Sequence, residues 1–321
     1  MKQQFTIQAV TDCTIEYEGS IEYSIDNGYT WKLLKKLSIQ SAHEAQFRNA
    51  KSPADSFFII EGKFNVYGHI STLAQKGTKA FKWMFCETNI VDASKLILDY
   101  DDLWPLAYYS MFAGCTRLKK APELPATTLA ERCYGGMFNG CRSLATAPKL
   151  PATTLAESCY YNMFAECTSL RKAPELPANT LAKSCYDSMF KFCTSLTSAP
   201  VLPATTLADR CYANIFYCCR SLTTAPELPA ITLAMGCYSY MFCGCSNLRK
   251  APELPATTLT QECYRSMFAA CTSLTALYVL PATKLERGCY EHMLCYCENI
   301  KELPLIPKQI LNDALRMSLF S

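Results

Sequence analysis

Apolar and polar residues alternate along 5–10, 14–17 and 21–25, the two-residue period of a strand with one buried face. Asp26, Asn27 and Gly28 then offer residues that tolerate positive φ, and the pattern resumes at Tyr29, Thr30 and Trp31, which predicts a hairpin. Further short strands are expected at 38–40, 46–48, 57–60 and 64–68. Residues 1–79 therefore read as a small antiparallel all-β sandwich domain.

From residue 80 the pattern changes to a phrase of 26 residues that is written eight times between 107 and 314. Two cysteine columns keep its register: Cys133, Cys159, Cys185, Cys211, Cys237, Cys263, Cys289, and Cys115, Cys141, Cys167, Cys193, Cys219, Cys245, Cys271, Cys297. A fixed period of this length marks a stacked-repeat chain, in which each unit buries its apolar face against its neighbours. Within one unit Leu129, Cys133, Tyr134, Met137, Phe138 and Cys141 fall at i, i+4, i+5, i+8, i+9 and i+12, which predicts a helix from near Thr128 to near Cys141. Thr128 with Glu131, and Thr154 with Glu157, have capping-box spacing. The segment after the helix carries Pro148 and Pro151, so only a short parallel strand is expected, about 143–147, followed by a polyproline-like return. The expected class is thus an α/β repeat, a solenoid with a short parallel strand and a helix per unit, preceded by the β-sandwich domain. Residues 80–106 read as an N-terminal cap, because Ala80 to Phe85 aligns with Ala107 to Phe112 and Thr88 stands where Cys115 will be. A last helix at 309–320, with Leu315 replacing the cysteine, reads as a closing cap whose end is 315–321.

Composition narrows the function classes. Half of the 321 residues are hydrophobic, and 31 basic against 28 acidic side chains leave a net charge of +3, far from the basic footprint of a nucleic-acid binder. No run of 18 apolar residues predicts a membrane span. The first residues lack the apolar run of a secretory signal, so a virion or cytoplasmic location is expected over a secreted one. Of the 20 cysteines, seven and eight lie in the two columns. Ala107 and Leu315 take the first column's place at the two ends, so its cysteines read as small buried hydrophobes with reduced thiols.

The phrase Met137-Phe138, Cys141, Leu144, Leu150-Pro151 resembles the BspA-like class of bacterial leucine-rich repeats, and the resemblance covers residues 80–321. The longer unit with Cys-Tyr-x-x-Met-Phe-x-x-Cys and Pro-Ala-Thr-Thr-Leu-Ala is similar to repeats of gut-bacterial surface proteins and their phages. The resemblance implies a non-catalytic recognition or adhesion module, or else a structural or decorating component of a phage virion. Separately, Ser24, Asp26, Gly28, Thr30 and Trp31 resemble the Asp-box hairpin of sialidases and other β-propellers. One box without an arginine cluster reads as a turn, with Asp26 bonded to the turn backbone and Trp31 packed beneath it.

No motif for catalysis is present, so neither an enzyme nor a cofactor is expected. The paired acids Asp101 and Asp102 read as a solvated turn. Cys289, His292, Cys295 and Cys297 have ligand-like spacing, but Cys289 and Cys297 belong to the core columns, so no metal is assigned. A contact surface is expected where units differ. One candidate set is the basic pairs Lys119-Lys120, Arg171-Lys172 and Arg249-Lys250, weighed against solubilising charges balanced by Glu123, Glu175 and Glu253. The other is the aromatic set Tyr109, Tyr161, Tyr217 and Tyr240, with Phe192 and Tyr296. The expected partner is a protein or a surface glycan, with other virion proteins as a further class.

Overall fold

A computed structural model describes residues 2–51, 57–74, 81–277, 279–300, 304–308 and 318–319. The alternating N-terminal segments form β1 (Phe5–Ala9), β2 (Cys13–Tyr17), β3 (Ser20–Ser24), β4 (Lys32–Leu33), β5 (Leu37–Ile39), β6 (Glu44–Lys51), β7 (Phe58–Glu61) and β8 (Phe64–His69). Two sheets result, one ordered β4-β3-β6-β1-β8 and closed by β9 (Ile90–Ile97), the other ordered β5-β2-β7. All pairings are antiparallel except β8 with β9, which is parallel. The inward residues of each strand meet as aromatic contacts across the sheets. Phe58 of β7 lies 6.2 Å from Phe5 of β1 and 5.6 Å from Phe47 of β6, ring centre to ring centre.

The 26-residue units stack in register, but they contain no α-helix: none occurs among the described residues 81–300. The helix expected from Thr128 to Cys141 is a succession of four-residue turns. Gly135 donates its N–H to the Arg132 carbonyl, Met137 to Tyr134, Asn139 to Gly136 and Cys141 to Phe138, each three residues back. The residues between these donate to the next coil: Tyr134 to Cys159, Gly136 to Tyr161, Phe138 to Met163 and Gly140 to Ala165. Every second N–H thus closes a turn and every other one joins coil to coil, which accounts for the backbone donors that a helix would have used.

Positive φ recurs every fourth residue, at Arg132 (51°), Gly136 (60°) and Gly140 (74°), and at the same places in the later units. Positive φ at the third residue of a turn, with an ordinary second residue, is the type II signature. The physical reason for the correction lies in the spacing. An α-helix turns about 100° per residue, so steps of four overshoot a full turn by about 40° each, and a column of three steps drifts by about a third of a revolution. Leu129, Cys133, Met137 and Cys141 are nevertheless all buried, which a strict four-residue repeat achieves without drift. The capping-box residues do other work. Thr128 forms a parallel bridge with Thr154, whose carbonyl accepts from Leu129.

The expected strand after each second cysteine also shrinks. Beyond β9 it survives as single parallel bridges, Asp92 with Lys120, Lys172 with Ser198 and Thr224 with Lys250, because the following Ala-Pro removes the next ladder donor. The closing helix at 309–320, with Leu315, falls outside the described residues. Ser318 and Leu319 are described, and their carbonyls accept from His292 and Leu294 as a further coil would.

The turn ladder makes a direct prediction. Ala270 sits at φ 57° in one of these left-handed positions. In a helix, Ala270→Gly would destabilise by about 1 kcal/mol. Here it relieves left-handed strain of about 1–2 kcal/mol and gives back part of that through the unfolded chain. A small rise in the denaturation midpoint is expected, and a fall of the helical size would contradict the turn assignment.

Two ring columns run through the stack. Tyr108, Tyr134, Tyr160, Tyr186, Tyr212, Tyr238, Tyr264 and Tyr290 follow one another at 5.7–6.0 Å with interplanar angles of 2–12°. Phe85, Phe112, Phe138, Phe164, Phe190, Phe216, Phe242 and Phe268 do the same at 5.6–5.9 Å. The spacing exceeds the coil-to-coil rise of about 4.8 Å, as expected of offset stacking. The phenylalanine column continues into the N-terminal sheets, where Phe85 lies 5.5 Å from Phe58 at 3°. One continuous hydrophobic core therefore joins sheets and repeats.

Candidate contact surface

Each coil presents three kinds of position. Residues after each Leu of the Cys-x-x-Leu phrase project on the bridge side, the Ala-Pro-x-Leu-Pro segment forms the extended return, and the two residues after each Cys-Tyr lie on the turn ladder, some exposed as Tyr161 is and some buried as Asp187 is. The cysteines of the two columns face inward. Cys141 donates its thiol to the Phe112 carbonyl at 3.1 Å, and all eight cysteines of this column repeat the contact at 2.8–3.1 Å on the preceding coil. The same carbonyl also accepts the N–H that closes the turn, as Phe112 does from Cys115. The thiol thus fills the second lone pair of a buried acceptor, a role that spacing could not reveal. Burial pushes these thiols up, Cys115 to about 12, so they stay protonated donors rather than nucleophiles. All described cysteines are free.

Lys119, Lys120, Arg171, Lys172, Arg249 and Lys250 are all exposed on the bridge side. Lys120 pairs with Asp92 at 3.3 Å. Arg171, Lys172, Arg249 and Lys250 have no ion-pair partner among the described residues, and Glu175 and Glu253 do not reach them. Short residues between the basic pairs leave troughs. A groove of about 660 Å³ is lined by Ser143, Ala145, Thr146, Ser169, Arg171, Lys172, Ala173 and Ser195. A second groove, about 810 Å³, runs along the return from Thr224 and Lys250 to Val279, between Pro226, Pro229, Pro252, Pro255 and Pro281.

The aromatic candidates lie on the turn ladder, away from these grooves. Tyr161, Phe192 and Tyr296 are exposed, whereas Tyr109, Tyr217 and Tyr240 are half-buried. They do not form one patch. Tyr217 packs edge-on against Phe192 at 5.5 Å, with the Lys191 ammonium 5.1 Å above its ring, while Tyr109 leans over Gly135 of the next coil. On the same side Asp187 is buried and accepts from Ser188, Arg210 and Asn214, an internal cluster that ties two coils.

The hairpin at Asp26 is a closed turn. Its carboxylate accepts from Ser24 and from the N–H and hydroxyl of Thr30, and these bonds hold it at about 2. Trp31 donates to the Gly28 carbonyl at 3.0 Å, and the Arg48 guanidinium stacks 4.0 Å from its ring. At the other end Cys297 donates to Phe268 and His292 lies 3.4 Å from Glu291. No group of three or more potential metal ligands occurs among the described residues. Nor is any described helix long and apolar enough to cross a membrane.

The sequence pattern of the BspA type leucine rich repeat region matches residues 108–235 and 210–312, in six copies, which is more than half of the chain. The chain belongs to the BspA-type leucine-rich repeat family. Membership points to a protein-binding repeat module of the adhesion kind, a generally non-enzymatic class. Searches of the curated proteins and of the solved structures returned no match. In this BspA-type chain the leucine of the repeat, Leu144 and its equivalents, is buried beside the thiol column, and the residues that follow it carry the unpaired cations.

Proposed function

We propose that this BspA-type chain is a non-catalytic recognition module that binds a carboxylate-bearing partner, protein or glycan, along its bridge side. The carrying observation is that Arg171, Lys172, Arg249 and Lys250 are exposed and unpaired beside two grooves. Coils rise about 4.8 Å, so Lys120 and Lys172 are about 10 Å apart and Lys172 and Lys250 about 15 Å. An extended acidic chain running along the stack meets such a ladder once every three to five residues. Hydroxyls of Ser143, Thr146, Ser169 and Ser195 line the first groove between the charges and add neutral donors and acceptors.

The test uses immobilised poly-glutamate and a uronic-acid polysaccharide as two arms. Binding to one of them is expected, falling steeply between low and physiological salt. The variant Arg171→Ala, Lys172→Ala, Arg249→Ala, Lys250→Ala is expected to bind at least about fourfold more weakly, given about 0.2–1 kcal/mol per exposed ion pair. Binding to neither arm, or equal binding by the variant, overturns the reading.

A second reading, packing against other copies or other virion proteins, draws on a different observation. In the Pro-x-Leu-Pro column, where other units hold Glu123, Glu175, Glu227 and Glu253, the chain exposes Val201, Val279 and Leu305. A concentration-dependent mass in light scattering, abolished by Val279→Glu with Leu305→Glu, would favour it.

A further inference from the structure

Fifteen cysteines fill the two core columns, and five do not. Of these five, Cys13 is buried in β2. Cys86, Cys218, Cys243 and Cys295 stand on the outward side of the turn ladder and are partly exposed. Cys86 and Cys295 have alanine at the matching place on a neighbouring coil, Ala113 and Ala269. Cys218 has Gly244 at that place, and Cys243 is its diagonal neighbour. The Cys218 N–H donates to the Cys243 carbonyl at 2.7 Å, which places the two residues diagonally on adjacent coils, one position apart in register. The Cys218 sulfur extends over that coil: it would lie 2.6 Å from a Cβ placed on Gly244, the residue after Cys243. A Cβ there would oblige this thiol to move. The phenol of Tyr217 lies within reach of both sulfurs.

We propose that Cys218 and Cys243 form a redox-active dithiol, which a low-molecular-weight disulfide such as glutathione disulfide converts to a disulfide between adjacent coils. The Cys218 thiolate attacks one sulfur of glutathione disulfide, forming a mixed disulfide and releasing one glutathione thiolate, which takes up a proton. The Cys243 thiolate then attacks the Cys218 sulfur, forming the inter-coil bond and releasing the second glutathione. Two electrons and two protons pass from the dithiol to the oxidant, whose S–S bond is the one broken. Cys218 is the first attacker on electrostatic grounds. Burial raises its thiol, but the cations of Arg220 and Lys191 oppose that rise, whereas burial and the neighbouring Cys218 push Cys243 up to about 12. A thiol near positive charge reacts first, and access decides between thiols of similar acidity. Both core columns are buried, and the one from Cys115 to Cys297 is already engaged with carbonyls, so the reaction is confined to this pair. The cross-link fastens two units on the turn-ladder side and removes both thiol neighbours of Tyr217.

The folded chain is incubated with glutathione disulfide, quenched with acid, and digested for peptide mass spectrometry. The expected product is a peptide pair linked through Cys218 and Cys243, lighter by two hydrogens, with Cys86 and Cys295 unlinked. Cys243→Ser is expected to stop at a glutathione adduct on Cys218, and Cys218→Ser to give no linked pair. A lasting adduct on Cys218 in the unsubstituted chain, a bond to Cys295 instead, or no reaction under conditions that modify a free thiol peptide overturns the proposal. If neither serine variant folds, as judged by circular dichroism, the product from the unsubstituted chain still decides.

Discussion

Phe164→Ala is expected to destabilise the chain by about 3–5 kcal/mol, the range for removing a fully buried aromatic ring. Phe164 is 0% exposed and is stacked on both sides, 5.6 Å from Phe138 and 5.8 Å from Phe190. Its carbonyl receives the thiol of Cys193 and the N–H of Cys167, so the backbone there is pinned and a cavity collapses little. A unit in a stack contacts only its neighbours, and the loss falls on the two interfaces that hold residues 107–163 to 185–300. Urea denaturation should therefore show a lower midpoint and a broader or split transition, with proteolytic cuts appearing first near 152–158. Phe164→Leu keeps most of the volume and loses the stacking, so it should fall at roughly 1–1.5 kcal/mol. Equal effects of Leu and Ala would mean that the ring column contributes no more than its volume.

The strands of the N-terminal part were legible because their period of two admits no other element. The predicted runs at 5–10, 14–17, 21–25 and 64–68 overlap β1, β2, β3 and β8. The repeat period and the inward columns were legible for the same reason, and Cys133, Tyr134, Met137 and Phe138 are all buried. What failed was the step from periodicity to element. Over 13 residues, periods of 3.6 and 4 both place i and i+4 on one side, and the capping-box spacing tipped the choice toward helix. The discriminating signal was the residue before each inward pair: Gly136, Asn162 and Asn214, with Gly140 and Gly244, are types that tolerate positive φ. The signal was diluted, because Ser158, Glu166, Ser184, Phe192 and Arg210 hold the same left-handed places in other units.

The candidate surface divides in the same way. Position after Leu144 and its equivalents located the exposed basic pairs, since a two-residue step past a buried leucine faces outward. Spacing could not show that Lys120 would find Asp92 while Lys172 and Lys250 stay unpaired, because Asp92 belongs to the irregular first coil. Nor could it show the grooves, which arise where Ala145 and Thr146 of one coil lie beside Arg171 and Lys172 of the next.

Gly68→Ala is expected to be the most damaging single-methyl change, costing about 3–5 kcal/mol and lowering soluble yield. Gly68 lies in β8 at φ 88°, a region that L-residues occupy at about 1–3 kcal/mol of strain. A Cβ would also lie 2.1 Å from the Gln4 carbonyl oxygen and 2.7 Å from its carbon. These are backbone atoms, and moving them breaks the adjoining contacts, in which His69 donates to Gln3 and Thr6 donates to Gln4. Overpacking of this kind adds a further 1–3 kcal/mol. The damage would not stay local. Gly68 pairs with Leu96 of β9, β9 bridges to the next coil through Asp92 and Lys120, and Phe58 carries the phenylalanine column into Phe85. The N-terminal sheets thus cover the open end of the stack, as terminal units of repeat arrays must. Gly140→Ala is the control. It has a similar φ of 74°, but its added methyl meets only Gly114 at an ordinary 3.5 Å, so it should cost about 1–2 kcal/mol, from left-handed strain. Thermal unfolding of the two variants side by side separates strain from overlap: equal losses would mean that the close approach of Gln4 is relieved without cost, and that the sheets do not hold the first coil in place.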